Sequence, residues 1–246
     1  GQMMFLKMVV AVDAEHPVKD LDAFLEALDT KVDPGSDVIV LPGMVADQLA
    51  HAAPWENVHH KLLIDATTVP DNDPLAGRKI EPGPGDEILA EVSVLPFVKQ
   101  TRMLKPSILL ITTEVEGGPK ADSDMEEADE VAAAAQRAKI SQLIESIWQL
   151  ENSKDLRWLF ITDDEFDINE PGARRRLLWQ LFCRFEVSRD LHLDENGSRI
   201  AWDATAPIPS LEGEYPTRRW PSTTLHDPVV EEKIEAMAAE EGWPWV

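Results

Sequence analysis

Along the chain, short apolar runs alternate with segments whose apolar residues recur every three or four positions. Lys7-Met8-Val9-Val10-Ala11-Val12-Asp13 is an apolar run closed by a carboxylate, the pattern of a buried strand. Leu21, Phe24, Leu25, Leu28 and Val32 follow at helical spacing and predict an amphipathic helix, stopped by Asp33-Pro34-Gly35. Asp37 to Leu41 and Lys61 to Thr67 predict two further strands, with a loop through His51-Ala52-Ala53-Pro54 between them. The pattern then repeats. Pro106 to Thr112 and Trp158 to Asp163 are apolar runs, and between them Ile140, Leu143, Ile144 and Ile147 form one helical stripe. Leu177, Leu178, Leu181, Phe182 and Phe185 form the next stripe.

Turn and cap signals complete the outline. Ser123-Asp124-Met125-Glu126 matches a capping box ahead of the Ile140 helix. Leu191 to Leu193 and Arg199 to Trp202 predict strands joined by Asp194-Glu195-Asn196-Gly197, whose Asn-Gly suits positive φ. A last helix takes Asp227 as its N-cap, Pro228 at its first position and Gly242 as its stop. Pro70, Pro74, Pro82 and Pro84, with Gly77, Gly83 and Gly85 among them, mark a linker or an extended surface arm. The segment from Glu87 to Met103 carries no clear period. Alternating strands and helices predict an α/β class: two similar units, each two-layer or three-layer, with mixed sheets flanked by helices. The predicted division is residues 1–70, a Pro/Gly-rich linker or arm over 71–104, and a second unit with a C-terminal helix over 105–246.

The two units share an order of landmarks. Lys7 to Asp13 parallels Arg157 to Asp163, and Leu28 to Asp37 parallels Leu181 to Asp190. Both then reach Asp-Ala-Thr, at Asp65-Ala66-Thr67 and Asp203-Ala204-Thr205. Each match alone is weak; strand, helix, strand and Asp-Ala-Thr in the same order give the repeat its weight.

These landmarks resemble the C-terminal domain of UbiD-type (polyprenyl-hydroxybenzoate) carboxy-lyases. In the second unit the resemblance rests on Asp163-Asp164-Glu165, Leu178-Trp179, Arg184-Phe185-Glu186, Arg189-Asp190 and Asp203-Ala204-Thr205. Arg219-Trp220-Pro221 and Asp227-Pro228 continue it. In the first unit it rests on Val32-Asp33-Pro34, His51-Ala52-Ala53-Pro54 and Lys61 through Thr67. The resemblance implies a region of an enzyme that decarboxylates aromatic or α,β-unsaturated acids with prenylated FMN, a divalent metal and K⁺. It places the catalytic Arg and two Glu on a flavin-binding part that no segment here matches. No catalytic, cofactor-binding or metal residue is therefore carried over. What it implies for this chain is a role in assembly and active-site closure, beside a catalytic flavin-binding domain in the same chain or a separate subunit. A homo-oligomer is expected, and a doubled unit departs from the family's usual single copy.

Charge and composition narrow the partners. Lys plus Arg total 23 against 46 Asp plus Glu, a net charge of −23, which disfavours nucleic acid and anionic membrane surfaces. The single cysteine, Cys183, sits in an apolar run and predicts a buried inert thiol; with no disulfide possible, a cytoplasmic setting is expected. The leading Gly1-Gln2-Met3 suggests a tag remnant on a piece of a longer protein. Arg174, Arg175, Trp220, Trp243 and Trp245 are the interface candidates, each weighed against pairing or packing within its own unit. Asp163-Asp164-Glu165 with Asp167 could hold Mg²⁺, but capping of the next helix is the simpler role. His51, His59 and His60 lack cysteines or an i, i+4 pair and make a poor zinc signature.

Overall fold

A computed structural model describes residues 6–47, 50–114, 130–163, 173–218 and 228–241. Valines favour the first strand, β1 (Met8–Val12). Asp20 caps α1 (Leu21–Lys31) by accepting from the Asp22 and Ala23 amides at 2.9 and 3.3 Å. Asp33-Pro34-Gly35 ends this helix and also starts another turn. Asp33 accepts from the Gly35 amide at 3.0 Å, with Pro34 at the first position of α2 (Pro34–Asp37).

The chain then runs through β2 (Val38–Val45) and β3 (Val58–Ala66). β2 extends past the predicted Leu41, with a register shift between Leu41 and Met44 and Gly43 at φ +64°. It is the outer strand of its sheet, where the missing Pro42 amide breaks no inner ladder. β3 lies between a parallel β1 and an antiparallel β2, giving a three-stranded sheet of order β1-β3-β2.

Residues 67–84 form a strap docked on the rest of the chain. Arg78 donates twice to the Asp37 carboxylate, at 2.9 and 2.6 Å. Gly83 lies against Pro106 and Ser107, so close that a Cβ there would stand 2.2 Å from the Pro106 oxygen. A 3₁₀ turn at Gly85–Ile88 and α3 (Leu89–Val92) follow. The stretch from Glu87 to Met103 then enters β4 (Val98–Lys105), an edge strand of the second sheet.

The second sheet continues with β5 (Ile108–Thr113), α4 (Glu130–Trp148), β6 (Trp158–Asp163), α5 (Ala173–Cys183) and α6 (Val187–Asp190). β7 (Leu191–Leu193) and β8 (Ile200–Asp203) complete the order β4-β5-β6-β8-β7. Gly197 takes the left-handed conformation, φ +68°, in the turn between β7 and β8. A helix α7 (Pro228–Glu241) follows. The predicted capping box at 123–126 and the caps Asp227 and Gly242 lie outside the described residues.

β5 and β6 are buried at every position, as their apolar runs predict. Their alternation divides the interior. Leu109, Ile111, Leu159 and Ile161 pack under Ile140, Leu143, Ile144 and Ile147 of α4. On the other face Ile108, Leu110, Trp158 and Phe160 join Leu177, Leu181, Phe185, Ile200 and Trp202. That same cluster takes in Leu25, Leu28, Val32, Leu62 and Ile64. The two sheets are therefore separate, and one apolar core joins them, with α1 and α5 supplying much of it.

Candidate functional site

The densest polar chemistry lies where the two units meet. Lys7, just ahead of β1, sends its Nζ to the carbonyls of Phe182 at 2.8 Å and Phe185 at 2.6 Å. The Phe182 carbonyl lies in the last turn of α5, where the helix dipole favours a cation, and the Phe185 carbonyl lies just past that helix. Burial pushes the Lys7 amine below its usual pKa, while the Glu186 and Asp190 carboxylates pull it back up. Glu186 is fully buried, and its Oε1 accepts the His60 amide at 3.0 Å and the Ser188 hydroxyl at 3.2 Å. Burial raises its pKa, opposed by the His60 amide and the Lys7 charge.

Asp190 caps α6 by accepting the Glu186 amide at 2.7 Å. Arg189 grips the same carboxylate with two bonds of 2.7 and 2.8 Å, and its third arm reaches the Ala52 carbonyl at 3.2 Å. On the other side of the contact, Arg157 donates to the Asp29 carbonyl and, at 2.6 Å, to that of Glu81. Asp29 is itself buried and accepts both the amide of Ser107, at 2.7 Å, and its hydroxyl.

A second polar group sits at the carboxyl ends of β6 and β8, where open α/β sheets present ligand sites. Asp163 is buried, ion-paired with Arg184, and accepts the Ala206 amide at 3.1 Å. Asp203, from the second Asp-Ala-Thr, accepts the Thr205 amide at 2.9 Å. It lines a cavity of about 30 Å³ with Gln136, Arg189, Asp190, Thr205 and Thr217. Desolvation, reinforced by the nearby Asp190 charge, pushes the Asp203 carboxyl up to about 7. His59 is 2% exposed, and burial beside Lys61 and Lys7 lowers it to about 4, so the ring is neutral at physiological pH.

Most of the charges in this contact end on helix carbonyls, amides and one another, while the Glu186 Oε2 is buried with no hydrogen-bond partner among the described residues. Two cavities border it: one of about 30 Å³, and one of about 320 Å³ walled by Met8, Val10, Val12, Leu21, Phe24 and Phe182, with His16, Lys19 and Asp20 on its polar side.

Of the residues singled out from sequence, Trp220, Trp243 and Trp245 lie outside the described residues. So do Asp164, Glu165 and Asp167, and the side chains of Arg174 and Arg175 in α5. Asp163 is committed to Arg184 and the Ala206 amide. His59 and His60 stand on β3 rather than in the predicted loop, because β3 begins at Val58, after Asn57 turns the chain at φ +61°. Among the described residues no three His, Cys, Asp or Glu side chains group as metal ligands. Cys183 is partly buried, and desolvation raises its thiol. Among the described residues no helix is long and apolar enough to cross a membrane. Sequence reasoning missed Lys7, Asp29, Arg157 and Glu186. For Lys7 and Arg157 the one signal is a basic residue standing immediately before each matching strand; Glu186 appears in sequence only as part of the Arg184-Phe185-Glu186 landmark, and Asp29 gives no signal.

Residues 1–66 match the family model described as the 3-octaprenyl-4-hydroxybenzoate carboxy-lyase C-terminal domain. Over 67 residues the chain is 39% identical to an uncharacterized protein of Archaeoglobus fulgidus, covering 27% of this chain and 14% of that one. Over 70 residues it is 37% identical to a phenolic acid decarboxylase of Escherichia coli O157:H7, covering 28% and 15%. The match thus spans only a small part of these relatives' length. Among solved structures, the open form of Sedimentibacter hydroxybenzoicus vanillic acid decarboxylase overlaps 83% of this chain and 45% of its own, at 11% identity and a TM-score of 0.37. The UbiD-class enzyme HmfF of Pelotomaculum thermopropionicum, in complex with FMN, overlaps 61% and 31%, at 19% identity and a TM-score of 0.34.

Proposed function

We propose, on the premise that residues 1–66 match the C-terminal domain of UbiD-type carboxy-lyases, that this chain is a non-catalytic region of such a decarboxylase, serving assembly and active-site closure. The observation that carries the reading is the match itself, which falls on the family's C-terminal domain. The seam supports it, since buried charges spent on helix ends make a rigid body for a partner to lean on. The partner is the flavin-binding catalytic part, in the same reading frame or as a separate subunit in the cytoplasm. The substrates are aromatic or unsaturated carboxylic acids, a class to which the name of the phenolic acid decarboxylase relative also points. Prenylated FMN, the divalent metal and K⁺ belong to that partner.

The test has two arms. The purified chain should show no stoichiometric flavin absorbance and no decarboxylation. Expressed with a prenylated-FMN-loaded catalytic part from the same reading frame or operon, it should co-purify with it and raise its turnover. A chain that carries flavin and decarboxylates by itself would overturn the proposal.

A further inference from the structure

We propose that the chain is an internal dimer: segments 7–68 and 157–206 are two copies of one unit, packed about an approximate two-fold axis, so that the first copy fills in cis the place of a second subunit. The inference stands on backbone register and reciprocal contacts, and does not depend on flavin or catalysis.

The element order is the same in both copies. β1, α1, α2, β2 and β3 answer to β6, α5, α6, β7 and β8, and the strand orders β1-β3-β2 and β6-β8-β7 agree. The registers agree too. Met8 lies beside Leu62 as Trp158 lies beside Ile200, both in parallel pairs. Val38 lies beside Ile64 as Leu191 lies beside Trp202, both antiparallel. A one-residue slip in either copy would turn its apolar set to the wrong face, so coincidence of all these pairs is a strong constraint.

Local bonds recur at matching positions. The Asp33 amide donates to Asp37 at 2.8 Å, and the Glu186 amide to Asp190 at 2.7 Å. Each of those aspartates takes a doubly bonded arginine, but from different places: Arg189 from within the second copy, and Arg78 from the strap that follows the first. Asp13 accepts the Thr68 amide and pairs with Lys31; Asp163 accepts the Ala206 amide and pairs with Arg184. Asp65 and Asp203 each accept the amide two residues on.

The seam itself is reciprocal, which gives the two-fold. Lys7 of the first copy reaches the Phe182 carbonyl of the second, and Arg157 of the second reaches the Asp29 carbonyl of the first. Lys7 and Arg157 are equivalent positions, as are Asp29 and Phe182. Near the other end the correspondence is regional: Glu186, which answers to Asp33, meets His60 of the first copy, and Gly35, two residues past Asp33, faces the Gly197 carbonyl, one residue before the counterpart of His60, 3.8 Å from where a Gly35 Cβ would stand. A surface whose residue i meets j while j meets i is isologous, the form two identical subunits make.

The test keeps the whole chain. A protease site is inserted in the exposed strap between Asp71 and Gly77, and the folded protein is cut. Native mass spectrometry and gel filtration should find the two pieces as a 1:1 complex that unfolds in one transition. Lys7→Met and Arg157→Met, each checked for intact folding before cutting, should each weaken the complex about ten-fold or more. Lys7→Arg, which installs the group the second copy uses, should leave it within about three-fold. Pieces that separate at micromolar concentration would overturn the proposal. So would either Met variant binding as tightly as wild type, or Lys7→Arg behaving like Lys7→Met.

Discussion

Arg184 and Lys31 occupy matching places, each pairing with the aspartate that ends a β-strand, and they differ chiefly in exposure. The Arg184–Asp163 pair has side chains 7% and 5% exposed, while Lys31–Asp13 stands at 34% and 30%. Arg184→Met strands a buried carboxylate whose remaining donors are the Ala206 amide at 3.1 Å and, weakly, the Gln180 Nε2 at 3.5 Å. Breaking one side of a buried pair costs about 3–5 kcal/mol. For a chain of this size that lowers Tm by roughly 10 °C. Lys31→Met breaks a pair that water already screens, and its Tm should be indistinguishable from wild type. Adding Asp163→Asn to Arg184→Met removes the stranded charge and should restore about 1 kcal/mol or more. Urea titration and thermal circular dichroism measure all four proteins. A loss below about 1 kcal/mol for Arg184→Met, or one no larger than that of Lys31→Met, would refute the burial argument.

Asp203 makes a pH prediction. An unfolded aspartate releases its proton near pH 4, whereas the folded one holds it to about 7. The folded state thus binds more protons in that window, and this group's contribution to stability falls as pH rises through it. Asp203→Asn should therefore match wild type near pH 4 and exceed it at pH 8 by about 1–2 kcal/mol, the partial exposure of the site discounting the full shift; a denaturant series at both pH values checks it. Gly83→Ala drives a methyl into the Pro106 carbonyl and should cost about 1–3 kcal/mol, with faster proteolysis of the strap. Leu28→Ala opens a hole in the core shared by both units and should cost about 2–5 kcal/mol in a single transition, rather than melting one unit alone. The His59 ring should titrate near pH 4 by NMR, and protonation above pH 6 would mean that it is wet.

The strands that read most plainly from sequence are those buried on both faces, because Leu109 to Ile111 and Trp158 to Ile161 have no polar face to obscure them. β4 was illegible for the opposite reason. Its Lys99, Arg102 and Lys105 fall three apart, with Gln100 and Thr101 between the first two, so no period of two shows, and they sit on a sheet edge where charge guards against stray pairing. β2 was cut short at Pro42-Gly43, since a proline reads as a stop unless the strand is known to lie outermost. The seam could not be read at all. Lys7 and Arg157 each look like a solvated charge before a strand, and nothing local says that each ends on a helix so distant in sequence. The matching landmarks were visible because Asp-Ala-Thr recurs; what that recurrence does to the core was not.

The shared core also sets a timetable for synthesis. Leu25, Leu28, Leu62 and Ile64 leave the ribosome long before Trp158, Phe160 and Trp202, the residues that cover them. At about 5–20 residues per second, the early half waits on the order of ten seconds with that apolar surface bare. The nascent chain therefore depends on a chaperone or on speed, and slow translation between the two halves should send it to aggregation.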